Sequence, residues 1–190
     1  MNKDMWAFED RARKSGHSLI AGIDEAGRGP LAGPVVSAAV VLPEIFSIDD
    51  VNDSKKLTPK KRTDLFPRIQ EAALAVGVGI VGPETIDSIN ILQAALLSMA
   101  KAVENLAIRP DYLLIDGPFP IPLNVPQKPL PKGDSLSISI AAASIIAKVT
   151  RDRMMVDFDR TYPEYGFSKH KGYPTRAHRE AIRKFGCSPI

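Results

Sequence analysis

One cysteine, three histidines and one tryptophan in 190 residues leave little material for several common chemistries. The lone thiol, Cys187, cannot close an internal disulfide and offers no thiolate cage for zinc. His17, His170 and His178 stand at no zinc-ligand spacing with it, and neither an HExxH string nor a Ser/His/Asp engine is present. Each histidine reads as a surface or loop residue. Apolar runs are broken well short of the ~18 residues that a membrane-spanning helix needs. The segment Met1 to Trp6 lacks the apolar core of a signal peptide. A cytoplasmic protein with no membrane partner is expected, with a monomer as the default state.

What is there is ordinary globular material: 44% apolar and 25% charged residues, enough for one domain with a real core. The formal charge of +3 permits a polyanionic partner without demanding one. Basic residues cluster at Lys55-Lys56, Lys60-Lys61-Arg62, Lys148-Arg151-Arg153 and Lys169-Lys171-Arg176-Arg179. Such clusters fit phosphate contacts and solvated helix faces equally well.

Periodicity gives an α/β order. A short amphipathic helix over 3–14 precedes strands at Leu19 to Asp24 and Gly33 to Leu42, most simply paired as neighbours. Thr58 caps a helix with Pro59 in its first turn, and Ala75 to Gly82 reads as a strand with close neighbours. Residues 83–107 are helical, with Asn90 opening a second helix, and Asp111 to Gly117 is a buried strand. Six prolines over 117–133 make a stiff connection with one short edge strand near Val125 to Pro129. One long helix follows from Ile138 to Phe158, then a loop over Tyr162 to Tyr173 and a helix from a Thr175 cap to Phe185.

The acids stand out by position. Asp24-Glu25, Asp116-Gly117 and Gly133-Asp134 each end an apolar run or precede a helix, beside glycine. Adjacent strand side chains point to opposite faces, so Asp24 and Glu25 are expected to share a site only if the backbone bends between or just after them. Converging carboxylates repel one another unless cations lie between them, and oxygen ligands of this kind select Mg²⁺ or Mn²⁺ over zinc. Two such ions about 4 Å apart can activate a water and stabilise the leaving oxygen of a phosphoryl displacement. Gly27 and Gly29 strip side chains from around Arg28, leaving backbone N–H groups and a guanidinium open to a phosphate.

These strings fall in an order that resembles a known family. Gly22-Ile23-Asp24-Glu25-Ala26-Gly27-Arg28-Gly29-Pro30, Asp53-Ser54-Lys55-Lys56-Leu57, Leu114-Ile115-Asp116-Gly117, Lys132-Gly133-Asp134-Ser135 with Ser144, Lys148, Arg151 and Asp152, and Lys169 to Thr175 are together similar to bacterial ribonuclease HII, the type 2 ribonuclease H. The resemblance runs from about Leu19 to Gly186. It implies a ribonuclease H-like α/β fold: a central mixed β-sheet flanked by helices, plus a small C-terminal helical part. Residues 1–160 would be the catalytic domain and 161–190 a loop and helix completing the cleft, within one compact unit. It further implies Asp24, Glu25, Asp116 and Asp134 as catalytic metal ligands for Mg²⁺ or Mn²⁺. The implied substrates are RNA–DNA hybrids and duplex DNA carrying single ribonucleotides, cut on the 5′ side to leave a 3′-hydroxyl and a 5′-phosphate. Sensing of the 2′-hydroxyl, the group that separates RNA from DNA, would fall to Gly27, Arg28, Gly29 and Tyr173. Without the resemblance, Tyr173 reads first as a loop anchor packed on the core; the resemblance reverses that preference. Lys55, Lys56, Lys148 and Arg151 face either the duplex or solvent. A DNA-directed nuclease of the same fold and a non-cleaving hybrid-binding module are the alternatives.

Overall fold

The computed structural model describes residues 4–48, 51 and 54–190. Five strands form one mixed sheet in the order β3-β2-β1-β4-β5. Central β1 (Ile20–Ala26) pairs antiparallel with β2 (Val35–Val41), which pairs antiparallel with β3 (Ala75–Val81). On its other side β1 runs parallel to β4 (Tyr112–Asp116), and β4 parallel to β5 (Gln127–Leu130). Pro129 sits in β5, where an edge strand tolerates a missing donor. The parallel arrangement brings the C-terminal ends of β1 and β4, and hence Asp24 and Asp116, to the same edge of the sheet.

Helices cover both faces. The 24-residue α5 (Ile138–Thr161) and α2 (Pro59–Ala72) pack against Ala38 and Val40 of β2 on one face, while α4 (Ile91–Glu104) packs against Ala21, Ile23, Ala39 and Val41 on the other. Alternation along β2 thus places apolar side chains on two cores at once. Glycine sets how close the helices come. A Cβ at Gly22 would lie 2.1 Å from the Ser139 carbonyl carbon, and one at Gly79 would lie 2.0 Å from the Ser98 oxygen. The start of α5 therefore rests directly on β1, one residue pair below Asp24.

Sequence signals mark the element ends. Thr58 accepts from the Lys61 N–H at the start of α2. Asn90, at φ 69°, separates α3 (Pro83–Ile89) from α4, its Oδ1 accepting from Leu92 and Gln93. The first helix is α1 (Ala7–Lys14).

Two expectations change. The loop expected over Tyr162 to Tyr173 contains a 3₁₀ turn at Pro163–Tyr165 and the short helix α6 (Phe167–His170). Buried Phe167 stacks on Tyr165 and packs with Met155 of α5 and Ala181 of α7 (Arg176–Phe185), which gives this stretch a core of its own. His178, expected as a surface or loop residue, lies on α7 and is fully buried within this core.

Candidate active site

The β1 ladder runs unbroken to the Ala26–Val36 pair, so no backbone break brings Asp24 and Glu25 together. Asp24 lies on the face of Gly22, toward α5, and Glu25 has one methylene more with which to reach the same point. Their carboxylates and that of Asp116 each offer an oxygen, and these oxygens all lie within 4.8 Å of one another. Of the two positions expected for a bend, between the acids or just after them, the structure has the second: Gly27, at φ 117°, turns the chain after both.

Crowding shows in the electrostatics. Burial first, then the charges of Glu25 and Asp116, push the Asp24 carboxyl well above the usual aspartate range, against hydrogen bonds from Ser144 and the Glu25 N–H. Burial also raises Glu25, although Arg28, whose Nη1 is 3.2 Å from Glu25 Oε1, pulls the other way. Glu25 Oε2 is buried with no hydrogen-bond partner among the described residues. A buried oxygen without a donor, in a nest of three carboxylates, fits a hard divalent cation and no other common cofactor.

Asp116 Oδ1 accepts a 2.6 Å bond from the Gly133 N–H, which joins the end of β4 to the 3₁₀ turn Gly133–Ser135. Asp134 is in that turn, 5% exposed, with Oδ2 3.8 Å from Lys55 Nζ. It stands outside the group of three whose oxygens meet within 4.8 Å, on the same rim of the sheet. Asp53 and the side chain of Lys56 lie outside the described residues.

A cleft of about 220 Å³ opens over the acids, lined among others by Asp24, Glu25, Arg28, Gly29, Lys55 and Tyr173. Tyr173 is 42% exposed and its side chain lines the cleft rather than being buried in the core. A Cβ on Gly29 would be 3.4 Å from the Tyr173 ring, which places the Gly-Arg-Gly loop against the tyrosine. Lys148 also lines the cleft, with Nζ 5.7 Å from the Tyr173 ring centroid and 2.7 Å from Asp152 Oδ1.

Arg151 faces neither duplex nor solvent. It is 1% exposed, and its guanidinium donates to the carbonyls of Pro34 (2.9 Å), Ala32 (3.0 Å) and Lys171 (2.9 Å). The loop after β1 and the loop bearing Tyr173 are thereby tied to one side chain of α5, and the Leu31 N–H donates directly to Gly172 O. Stepping three or four residues along α5 from Ser144 to Lys148 and Arg151 marks this face in the sequence. Its depth is not marked.

Two histidines brace the tyrosine from below, and nothing in their spacing announced it. The rings of His170 and His178 stack with centroids 4.4 Å apart. His178 Nδ1 is 3.0 Å from Tyr173 O, and His170 Nδ1 accepts from the Gly172 N–H, which leaves His170 Nε2 to donate to Tyr165 O. Burial holds the His170 imidazole below its ordinary range, and His178 adds to the effect against the Tyr165 bond.

Residues 21–189 match the family model for ribonuclease HII. The chain is 61% identical over 186 residues to ribonuclease HII of Geobacter sulfurreducens, covering 98% of this chain and 86% of that protein. It is 57% identical to that of Bacillus cytotoxicus over 96% of this chain and 70% of the relative. Among solved structures it is similar to ribonuclease H2 from Pyrococcus horikoshii, with TM-score 0.73, 31% identity and 90% of each chain covered.

Proposed function

The chain belongs to the ribonuclease HII family, and from that premise we propose how its own residues carry out the reaction. It is a metal-dependent endoribonuclease acting on RNA–DNA hybrids and on ribonucleotides embedded in DNA. The observation that carries this reading is the meeting of the Asp24, Glu25 and Asp116 carboxylates around a buried, partnerless Glu25 oxygen.

In this reading Asp24, Glu25 and Asp116 hold Mg²⁺ or Mn²⁺, and Asp134 completes the set from the turn beyond β4. The ion supplies Lewis-acid stabilisation of an in-line displacement at phosphorus. The protein's part is placement. Arg28, tethered to Glu25, and the bare N–H groups around Gly27 and Gly29 grip the phosphate next to the ribose. Tyr173 lays its ring on the sugar and its hydroxyl on the 2′-OH, so that the phosphate presented to the acids is the one beside a ribonucleotide. Cleavage on the 5′ side of that residue leaves a 3′-hydroxyl and a 5′-phosphate. Lys55 and Lys148 lie where a flanking phosphate would pass. Residues 1–160 act as the catalytic body and 161–190 complete the cleft, a division supported by the seat of Tyr165 and Phe167 against α5.

The test is incubation with Mg²⁺ of a DNA duplex carrying one ribonucleotide, beside an all-DNA duplex and a long RNA–DNA hybrid, with product ends mapped. Cutting 5′ of the lone ribonucleotide and none of the all-DNA control is expected. Cutting of the all-DNA duplex would transfer the chain to DNA-directed chemistry and end the role given to Tyr173.

A further inference from the structure

We propose that Glu9, on α1 and ahead of the residues matched by the family model, is a positioning residue for the metal ligands, acting through the turn that carries Asp134. The inference rests on the metal reading of the acids. Glu9 is 1% exposed, and one oxygen, Oε1, accepts from Ser137 Oγ (2.6 Å), Ser139 Oγ (2.6 Å) and the Ser139 N–H (3.1 Å). Its other oxygen is buried without a hydrogen-bond partner among the described residues. Capping α5 does not require this acid, because Ser137 Oγ already accepts from the Ile140 N–H. What the acid adds is direction and position: with its proton drawn to Glu9, Ser137 turns a lone pair toward Ile140, and the start of α5 is pinned to α1. The Ile138 N–H donates to Met5 O at 2.8 Å and pins it a second time.

From Ser137 the connection to the site is short. The Ser137 and Leu136 N–H groups both donate to Gly133 O, and the Gly133 N–H holds Asp116 Oδ1. Asp134 lies inside that turn. Just before it, Lys132 sits at φ 61°, a left-handed conformation that is strained for any residue with a side chain. A turn entered through such a residue holds its shape only if its exit is fixed, and Glu9 fixes the exit.

The experiment measures Mn²⁺ binding at pH 7 to the full chain and to Glu9→Ala, Glu9→Asp and Ile69→Ala, with thermal unfolding of each recorded alongside. Ile69 is a fully buried core residue of α2, so its truncation supplies lost stability without touching the turn. Glu9→Ala is expected to weaken Mn²⁺ binding about tenfold, the low end of what loss of a ligand-orienting partner does. Glu9→Asp, whose shorter arm cannot reach all three donors, is expected to weaken it about threefold and gives the reading if the alanine variant does not fold. Ile69→Ala should bind as the native chain does. Unchanged affinity in the Glu9 variants, or an equal loss in Ile69→Ala, overturns the proposal while leaving the metal reading intact. Absence of Mn²⁺ binding by the native chain overturns both.

Discussion

Replacing Arg151 with methionine tests whether the ribose-reading loops are held by one side chain. Methionine keeps much of the aliphatic volume and removes the donors, leaving the carbonyls of Ala32, Pro34 and Lys171 without the guanidinium. A buried acceptor stripped of its partner costs about 1–3 kcal/mol. Three of them would sum to more than is lost, because the desolvation of the guanidinium is recovered at the same time. Burial already lowers the Arg151 pKa, a sign of that desolvation, and among the described residues its hydrogen bonds go to backbone carbonyls. A net loss of about 3–5 kcal/mol is expected, the usual result of breaking a buried charged network. For a chain of this length that is a fall in Tm of roughly 10 °C. Lysine should rescue little, since one ammonium cannot span three carbonyls on two loops. Thermal unfolding followed by far-ultraviolet circular dichroism reads the loss. A shift of less than about 2 °C, the scale of a surface change, would refute the reasoning and return Arg151 to the class of dispensable cations.

Three more outcomes follow from the same geometry. Asp24→Asn should cut turnover by a factor on the order of 10³ or more, the loss of several kcal/mol of transition-state stabilisation, while raising the Tm of the metal-free protein. The sign is fixed by the raised native pKa: protonated Asp24 favours the fold at low pH, and that contribution is lost as pH rises through the native value, so asparagine gains at neutral pH and the gap closes below about pH 4. A metal-free variant less stable than the native chain at pH 7 would count against carboxylate crowding. Tyr173→Ala should reduce cutting at single ribonucleotides about tenfold or more, the worth of one stacked base or sugar contact, and reduce cutting of long hybrids less; equal losses in product yield would return the ring to an anchoring role. His170, with its pKa lowered, favours the fold when neutral. Its contribution is present above about pH 6.5, the ordinary histidine value, and is lost as pH falls below that through the lowered native value. Discrimination by the Tyr173 loop should therefore hold at neutral pH and weaken only as pH falls below about 6.5, and a His170→Gln variant with the same pH profile would exclude the histidine as the cause.

Much of this arrangement was legible in the chain. Short apolar runs ending in acids beside glycine marked β1 and β4, and the caps at Thr58, Asn90 and Thr175 placed three helices because each supplies an oxygen to N–H groups that the helix itself cannot satisfy. What stayed hidden was depth and convergence across the fold. Period-two alternation allowed Asp24 and Glu25 to share a site only through a bend between or just after them; the turn at Gly27 follows both, and the alternation alone did not say how closely their oxygens meet. Arg151 and His178 carry polar side chains that sequence reading sends to the surface. Both are buried because their partners are backbone carbonyls, contributed by residues of any type. A carbonyl leaves no mark in a sequence, so a clamp built on three of them is visible only once the loops are folded.

The same distinction explains how the site can exist before a metal enters. Its acids oppose their own assembly, as the raised pKa values of Asp24 and Glu25 show. Attraction among the acids themselves therefore cannot be what builds it. The groups that do are sterically or dipolar bound and indifferent to the cation: Gly22 admitting α5 against β1, the Gly133 N–H holding Asp116, and Arg151 joining two loops. A frame of that kind spends the folding energy of the core to keep like charges together. A divalent cation then binds carboxylates already in place, and the reorganisation that would otherwise weaken its hold has been completed by folding.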